Sequence, residues 1–582
     1  MGIDLPHACP VRARLQSLGV LPLAALSTTA SLMMALGAPP RGITWLVWLG
    51  FVPLTLVARV APLRSRGPRR WIRGRIPPVF WLGWCGGLCT GLVGFPWMAE
   101  TLERFGGLPG WVALVGLLLF SAWTAVPFGL WAWGVARGPS RGAWAIAWPV
   151  VLWIGLTTPW PALFPYTPMI GFAEQPLWIQ AAELGGVPLV EAQVVLVGVL
   201  LADAILLAGP RRARLLRVAV ALAIPLVSAG LGHWRLRAID AELHEARTVR
   251  VGVIQPNTAL GALDNGDRMR RLRSMSRRAA DEGAQVLVWP EAGAFPFRTR
   301  RPFVEDFPDP FRSVLRGHGL PTIFGAGSYE PNVRWERNTV YAMAADGTVT
   351  GTFDKVILMP FGEYVPLVDP VWAIRHVPSM SHNLAGEGPA RFVIEPAARP
   401  KEPAPAPFVA GPLICYEDIF PGFARDVATQ DGGIDVFVNV TIDTWFGATA
   451  EPWEHLALAQ FRSVEHRIPM VRSVAAGVST VVDSGGRVVA HLPARGPTVQ
   501  SPVPPERLVV DVALPRNTAA RPTVFARIGW LLPWSCVLVV LGAVLAAMTR
   551  LLYSRRAKTA SASVPSTDGT LGPAPATGRD DD

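Results

Sequence analysis

Three side chains interrupt the apolar pattern in the second half of this 582-residue chain at places where chemistry could follow. Glu291 ends the run VLVWPEA, Cys415 ends PLICYED, and Lys355 closes the segment 338–354, which turns at Asp346-Gly347. Each alone has an ordinary explanation: a carboxylate capping a turn, a small buried hydrophobe, a solvated charge. Together they suffice for nucleophilic acyl transfer. A free thiol has a pKa of about 8.5, so little of it is thiolate at neutral pH. A neighbouring carboxylate can take the thiol proton as general base. A nearby ammonium favours the thiolate and then the oxyanion that develops on the attacked carbonyl. The expected intermediate is a covalent thioester.

Composition draws attention to Lys355. Of 54 basic residues only Lys355, Lys401 and Lys558 are lysines, and arginine meets every other basic need. Lys401 lies in the proline-rich stretch 398–407, which reads as an exposed loop, and Lys558 lies in the C-terminal tail. Either base would serve there. Lysine carries a compact ammonium whose pKa is shifted more easily than arginine's, so its use at 355 points to catalytic work. Cys415 is the single cysteine between 248 and 515, which excludes an internal disulfide in that stretch.

The elements that must position these groups follow from periodicity. Strands are expected at 250–257, 286–292, 321–330, 412–418, 435–443 and 469–477. Helices are expected at 269–284, after Phe420 and at 452–467, with a second hairpin turning at DSGG (483–486). Apolar strands separated by amphipathic helices indicate a layered α/β domain. In such folds reactive groups gather at strand ends.

The rest of the chain is of another kind. It is 51% hydrophobic and 17% charged with a mean hydropathy of +0.32, where soluble domains average about 25% charged residues. This excludes a single soluble globule and a disordered chain. Sixteen of the 23 tryptophans precede residue 235. Stretches long enough to cross a bilayer are expected at 17–36, 43–61, 79–98, 111–136, 143–160, 188–208 and 214–233, with an eighth at 527–552. The organisation is thus a membrane domain (1–234), a catalytic domain (248–515), a last span (527–552) and a disordered cytoplasmic tail (553–582). Arginines cluster at 64–75, 137–141, 211–217 and 550–556, while the alternate loops hold only Arg41 and Arg104. By the positive-inside rule residues 248–515 lie outside the cytoplasm. The net charge of +11 is then a topology signal, and no nucleic acid is implied.

The set WPE, DKVILMPFGEYVP and CYEDIF, in that order and followed by DTWFG (443–447), resembles the nitrilase, or carbon–nitrogen hydrolase, superfamily. On a multi-span protein it is similar to the apolipoprotein N-acyltransferase family within it. The resemblance implies an αββα sandwich for the exocytoplasmic domain beside a multi-pass α-helical bundle, in the bacterial cytoplasmic (inner) membrane with the catalytic domain on the periplasmic side. It implies Glu291 as base, Lys355 as oxyanion stabiliser and Cys415 as nucleophile, with Glu363, Tyr416 and Glu417 in support. It implies transfer of an acyl chain from a membrane phospholipid to the α-amine of a diacylglyceryl-cysteine apolipoprotein at the lipid bilayer, with no metal or nucleotide cofactor. The chain departs from the family pattern at Ile357, Ile442 and Ala475 and has no tryptophan in 255–268, positions that bear on the acceptor. Another amine acceptor, or water as in a membrane-tethered amidohydrolase, are the alternatives. The aromatic stretch 358–384, with Phe361, Tyr364, Val365, Val371, Trp372 and Ile374, is expected either to admit or cover an acyl chain or to pack on the sandwich.

Overall fold

A computed structural model describes residues 10–61, 77–104, 106–165, 167–206, 210–259, 263–376, 381–399, 402–498, 501–515 and 522–562. Its thirteen strands are β1 (Arg247–Gln255), β2 (Val286–Val288), β3 (Thr299–Arg300), β4 (Thr322–Tyr329), β5 (Arg337–Met343), β6 (Val349–Asp354), β7 (Phe392–Ile394), β8 (Phe408–Ile414), β9 (Val436–Thr441), β10 (Met470–Val474), β11 (Thr480–Val482), β12 (Val488–His491) and β13 (Glu506–Leu514). One sheet has the order β13-β1-β2-β4-β5-β6 with β3 beside β4, and the other β12-β11-β10-β9-β8-β7. Pairing is parallel at the centre of both sheets (β1–β2–β4 and β8–β9–β10) and antiparallel toward the edges.

The sheets pack face to face. Val251, Val253, Val288 and Ile323 of the first share one core with Leu413, Val438, Val440 and Val471 of the second. The outer face of the first sheet is covered by helix Asn265–Asp281, where Met269, Leu272 and Met275 meet Leu287 and Trp289. Helices Pro421–Ala428 and Glu451–His466 cover the second. The result is an αββα sandwich. Burial on both faces explains why β2 and β9 are buried at every position and why β2 reads as a continuous apolar run rather than an alternating one.

Each of the eight stretches expected to span the membrane contains helix, but they differ in length. Among the described residues five helices are long and apolar enough to cross a bilayer: Val20–Gly37, Gly110–Arg137, Ala182–Leu206, Arg211–His244 and Phe525–Ser554. Pro78–Gly94 and Trp97–Arg104 pass the same test together, and make a sixth if the pair, bent by 56°, is one span. Trp45–Val60 and Ala143–Thr157 are shorter. At about 1.5 Å per residue, the 15 residues of Ala143–Thr157 reach about 22 Å of a hydrocarbon core about 30 Å thick. Gly50 divides the first of these short helices, and Pro159 and Pro161 follow the second. The C-terminal helix runs on to Ala562, so the start of the tail expected to be disordered is helical. Residues 563–582 lie outside the described residues, as do Arg64–Arg75 and Cys9.

The bundle and sandwich are joined by buried polar contacts. Arg467 and Arg235 both pair with Glu183, at 2.6 and 2.8 Å. Gln460 donates to Ala173 O at 3.1 Å, and Trp97 Nε1 donates to Glu454 at 3.0 Å.

Candidate active site

The sandwich brings Glu291, Lys355 and Cys415 together at the ends of three strands. Beyond β2 the chain continues to pair with β4: Trp289 N donates to Ile323 O at 2.9 Å and Gly325 N to Pro290 O at 3.1 Å. This delivers Glu291 into the interior, 5% exposed. Gly325 is needed there, because a Cβ would lie 2.5 Å from Ala292 N and 2.6 Å from Glu291 C. Lys355 follows β6 and is 2% exposed. Its N–H donates to Asn338 O at 2.9 Å and its carbonyl accepts from Gly386 N at 2.7 Å.

Cys415 lies just beyond β8 at φ +50°. A non-glycine residue held in this left-handed region stores strain that the surroundings must enforce. Here Asn439 Nδ2 donates to Cys415 O at 3.1 Å. Glu417 accepts from Ile414 N at 2.8 Å, and also from Val356 N at 2.6 Å and Ile357 N at 3.1 Å. Glu417 therefore ties the turn at Cys415 to the backbone following Lys355. Burial pushes its carboxyl up to about 8, against the pull of those amides and of Lys355.

Around Lys355 Nζ, Glu363 Oε2 lies at 2.8 Å and Glu291 Oε1 at 3.4 Å. Asn338 Nδ2 donates to Glu291 at 2.7 Å and to Glu363 at 3.0 Å. Met359 N adds a bond to Glu363 at 2.9 Å. Burial works against the Lys355 ammonium, but the two carboxylates outweigh it and raise its pKa. Burial likewise opposes charge on Glu363, and Lys355 with the donated hydrogen bonds wins, lowering its pKa. For Glu291 burial prevails, aided by the charge of Glu363, and its pKa rises. Burial, reinforced by Glu291, raises the Cys415 thiol well above its ordinary value. The resting pair is thus a thiol beside a carboxylate of enhanced basicity, the arrangement a general base requires.

A buried ionic cluster lies behind Cys415. Arg472 reaches Asp418 at 3.4 Å and Asp443 at 3.2 Å, and His455 reaches Asp418 at 2.9 Å and Asp443 at 3.3 Å. Burial and Arg472 oppose charge on His455, but the two aspartates overcome them and lift its pKa to about 10. Asp443, Glu451 and His455 are spaced as metal ligands could be. The guanidinium of Arg472 already lies among them, 2.7 Å from His455 Nδ1.

All three triad residues open into one cavity of about 680 Å³. Glu363, Asn338, Met359, Pro360 and Phe361 line it from the sandwich, and Trp97, Met98, Leu102, Leu163 and Phe164 line it from the membrane bundle. Tyr416 donates its hydroxyl to Leu163 O and sets its ring edge-on to Phe164 at 5.8 Å. Of the six apolar and aromatic residues singled out in the stretch 358–384, Phe361 reaches the cavity. Tyr364, Val365, Val371, Trp372 and Ile374 are not among its lining residues, and Trp372 stacks on His376 at 4.3 Å instead. Ile442 lines the cavity and packs with Ala294 and Ala475, so two departures from the expected pattern meet in one apolar patch.

Two family models match the chain: Carbon-nitrogen hydrolase over residues 250–509 and Apolipoprotein N-acyltransferase N-terminal domain over residues 30–200. The chain belongs to the apolipoprotein N-acyltransferase family. Relatives of that name share 29% identity in Geobacter metallireducens, over 80% of this chain and 86% of theirs. In Allorhizobium ampelinum the figures are 28%, 82% and 89%. Among solved structures, an amidase from Nesterenkonia sp. AN1 aligns at 20% identity and TM-score 0.34, covering 49% of this chain and 98% of its own. Saccharomyces cerevisiae Nit3 aligns at 17% and 0.34, over 47% and 93%. The family's two modules thus correspond to the bundle and the sandwich, which meet at the cavity. Asn338, Asp418, His455 and Arg472 were not singled out by the sequence reading. Arg472 offered a signal, as the one charged residue in the apolar run PMVRSVAAG; Asn338 offered none.

Proposed function

We propose that Cys415, Glu291 and Lys355 carry out acyl transfer from a membrane phospholipid to the N-terminal amine of a diacylglyceryl-cysteine lipoprotein. The observation that carries this reading is the shared cavity, with the nucleophile on one wall and membrane helices on the other. Donor and acceptor are both anchored in the bilayer, so a site opening between bundle and sandwich gains proximity that a soluble amide substrate would not need.

In the first half-reaction Glu291 takes the Cys415 proton and the thiolate attacks an acyl-ester carbonyl. Lys355 Nζ, held by Glu363, faces the oxyanion. Collapse breaks the ester C–O bond, and the proton on Glu291 passes to the departing oxygen, releasing a lysophospholipid. In the second, the acceptor amine attacks the thioester, Glu291 takes the amine proton, and it returns to the Cys415 thiolate. Glu363, Tyr416 and Glu417 position these groups. The enzyme is placed in the bacterial cytoplasmic membrane with residues 248–515 on the outer side, a reading supported by the arginine distribution.

The test uses the full-length protein with labelled phosphatidylethanolamine. A hydroxylamine-sensitive acyl adduct is expected, absent in Cys415→Ser, followed by transfer to a diacylglyceryl-cysteine peptide. No adduct refutes acyl transfer. Rapid release of free fatty acid would make the protein a hydrolase, and an adduct that never passes to the peptide would point to another amine. An alkaline phosphatase fusion near residue 500 should be active; an inactive one reverses the orientation.

A further inference from the structure

A second cavity, of about 510 Å³, lies on the other side of helix Trp97–Arg104 from the catalytic one. Trp97, Met98, Thr101 and Leu102 line the catalytic cavity, whereas Trp97, Glu100 and Arg104 line the second. This helical spacing makes the short helix a partition with a different ligand environment on each face. Arg41 from the loop before Trp45 and Thr449 and Trp453 from the sandwich complete the second cleft.

Its charge is unusual for its place. Loops 37–44, 95–110 and 158–187, at the end of the bundle that meets the sandwich, contain no Lys or Arg besides Arg41 and Arg104, and both line this one cleft. Arg104 lies against Gly447, where a Cβ would collide with its guanidinium. It pairs at 3.5 Å with Glu100, and both side chains are about half exposed. Arg41 is exposed and makes no ion pair among the described residues. Glu174 approaches Gly42 but does not line the cleft. Buried Glu454, which accepts from Trp97, feels the charge of Arg41 but does not line the cleft. Among the residues that line it, two guanidinium groups face one carboxylate.

The level of the cleft identifies the ligand. Arg41 follows the apolar helix Val20–Gly37, and Arg104 precedes the apolar helix Gly110–Thr124. Trp45 and Trp111, at the starts of the neighbouring helices, are 60% and 71% exposed, as expected of aromatic residues at a membrane–water interface. Lipid phosphates lie at that depth, just outside the hydrocarbon, and arginine matches phosphate oxygens in a bidentate fashion. We propose that the Arg41–Arg104 cleft binds the phosphate of a membrane phospholipid, at a site separate from the catalytic cavity. The site does not require that this lipid be the one attacked at Cys415.

The test is native mass spectrometry of the full-length chain carrying Cys415→Ser, in a phosphate-free maltoside detergent, titrated with dihexanoylphosphatidylglycerol. The parent should retain one more equivalent than Arg41→Gln/Arg104→Gln, and each single substitution should weaken that equivalent about tenfold. Glu100→Gln, which removes the competing carboxylate, should tighten it; a merely structural role for the arginines would give no such gain. Uncharged dihexanoylglycerol should bind equally to all variants, and thermal melting should show them folded. The proposal is overturned if the double variant keeps the same number of lipids at the same affinity. It is also overturned if inorganic phosphate fills the site as tightly as the lipid, or if the variants lose only an acidic peptide. Since the parent lacks the nucleophile, failure here leaves the thioester assay at Cys415 untouched, and the reverse also holds.

Discussion

Replacing Lys355 by Met should separate the charge balance of the site from its chemistry. At an effective dielectric of about 20, unit charges at the Lys355–Glu363 and Lys355–Glu291 separations of 2.8 and 3.4 Å attract by about 6 and about 5 kcal/mol. Most of this offsets the cost of burying three charges. The part lost on removing one partner from a buried ionic group is typically about 3–5 kcal/mol, because Glu291 and Glu363 remain, sharing the hydrogen bonds of Asn338. Lys355→Met should therefore lower the melting temperature markedly. Without the ammonium both carboxyls are pushed above their unfolded-state pKa. The loss is then small near the ordinary carboxylate range and grows as pH rises through the displaced values. Adding Glu363→Gln should restore part of the stability by removing the second charge. It should not restore activity, because the oxyanion stabiliser is gone and one such donor is worth about 10²–10³ in rate. Melting in detergent from pH 5 to 8 and intact-mass detection of the acyl adduct would measure both. Further destabilisation by Glu363→Gln in the Lys355→Met background, or normal acylation by either variant, would refute the charge-sharing account.

Other consequences are equally direct. Because burial raises the Glu291 pKa, and the base must be ionised to act, acyl-adduct formation should fall with pH at values above the ordinary glutamate range; single-turnover rates against pH would show the limb, and a limb at pH 4 would contradict it. Gly325→Ala should disable acylation through a displaced Glu291, given the 2.5 Å approach to Ala292 N, and an alanine variant with wild-type rate would exclude that steric coupling. Arg472→Met leaves Asp418 and Asp443, both fully buried, to His455, and should cost about 3–5 kcal/mol, read as a lower melting temperature. Glu417→Ala removes the acceptor of three amides; the acylation rate should drop at least tenfold, as about 1.4 kcal/mol would produce, with little change in donor KM.

The triad was legible because strand ends are conspicuous when an apolar run stops on an acid, a thiol or a rare lysine. The two-layer core was legible for a related reason, since its central strands are dominated by apolar and β-branched residues, as in Val286–Val288 and Val436–Thr441. Asn338 was invisible: it is the second residue of β5, among polar neighbours, and its place in the site comes from the distance to two carboxylates 47 and 25 residues away. The Asp418–Arg472–His455 cluster spans three elements, so no local window contains it. Hydropathy located each apolar stretch of the bundle but not its helix length, which depends on breaks such as Gly50. It also gave no sign that Trp97 and Phe164 would share a cavity with Cys415. Which side of an apolar helix meets a partner is decided by packing, and in a chain this rich in apolar residues every side qualifies.

The shared wall of the catalytic cavity has a practical consequence. Because Trp97, Leu102, Leu163 and Phe164 form one side of it and Tyr416 is anchored to Leu163, a soluble fragment comprising the sandwich alone would present half a binding site, open where the bundle should close it. Small molecules selected on such a fragment would be fitted to a surface the intact enzyme does not expose. Inhibitor screening belongs on the full-length protein in lipid, where a compound wedged between Phe164 and Met359 could hold bundle and sandwich together across the cysteine.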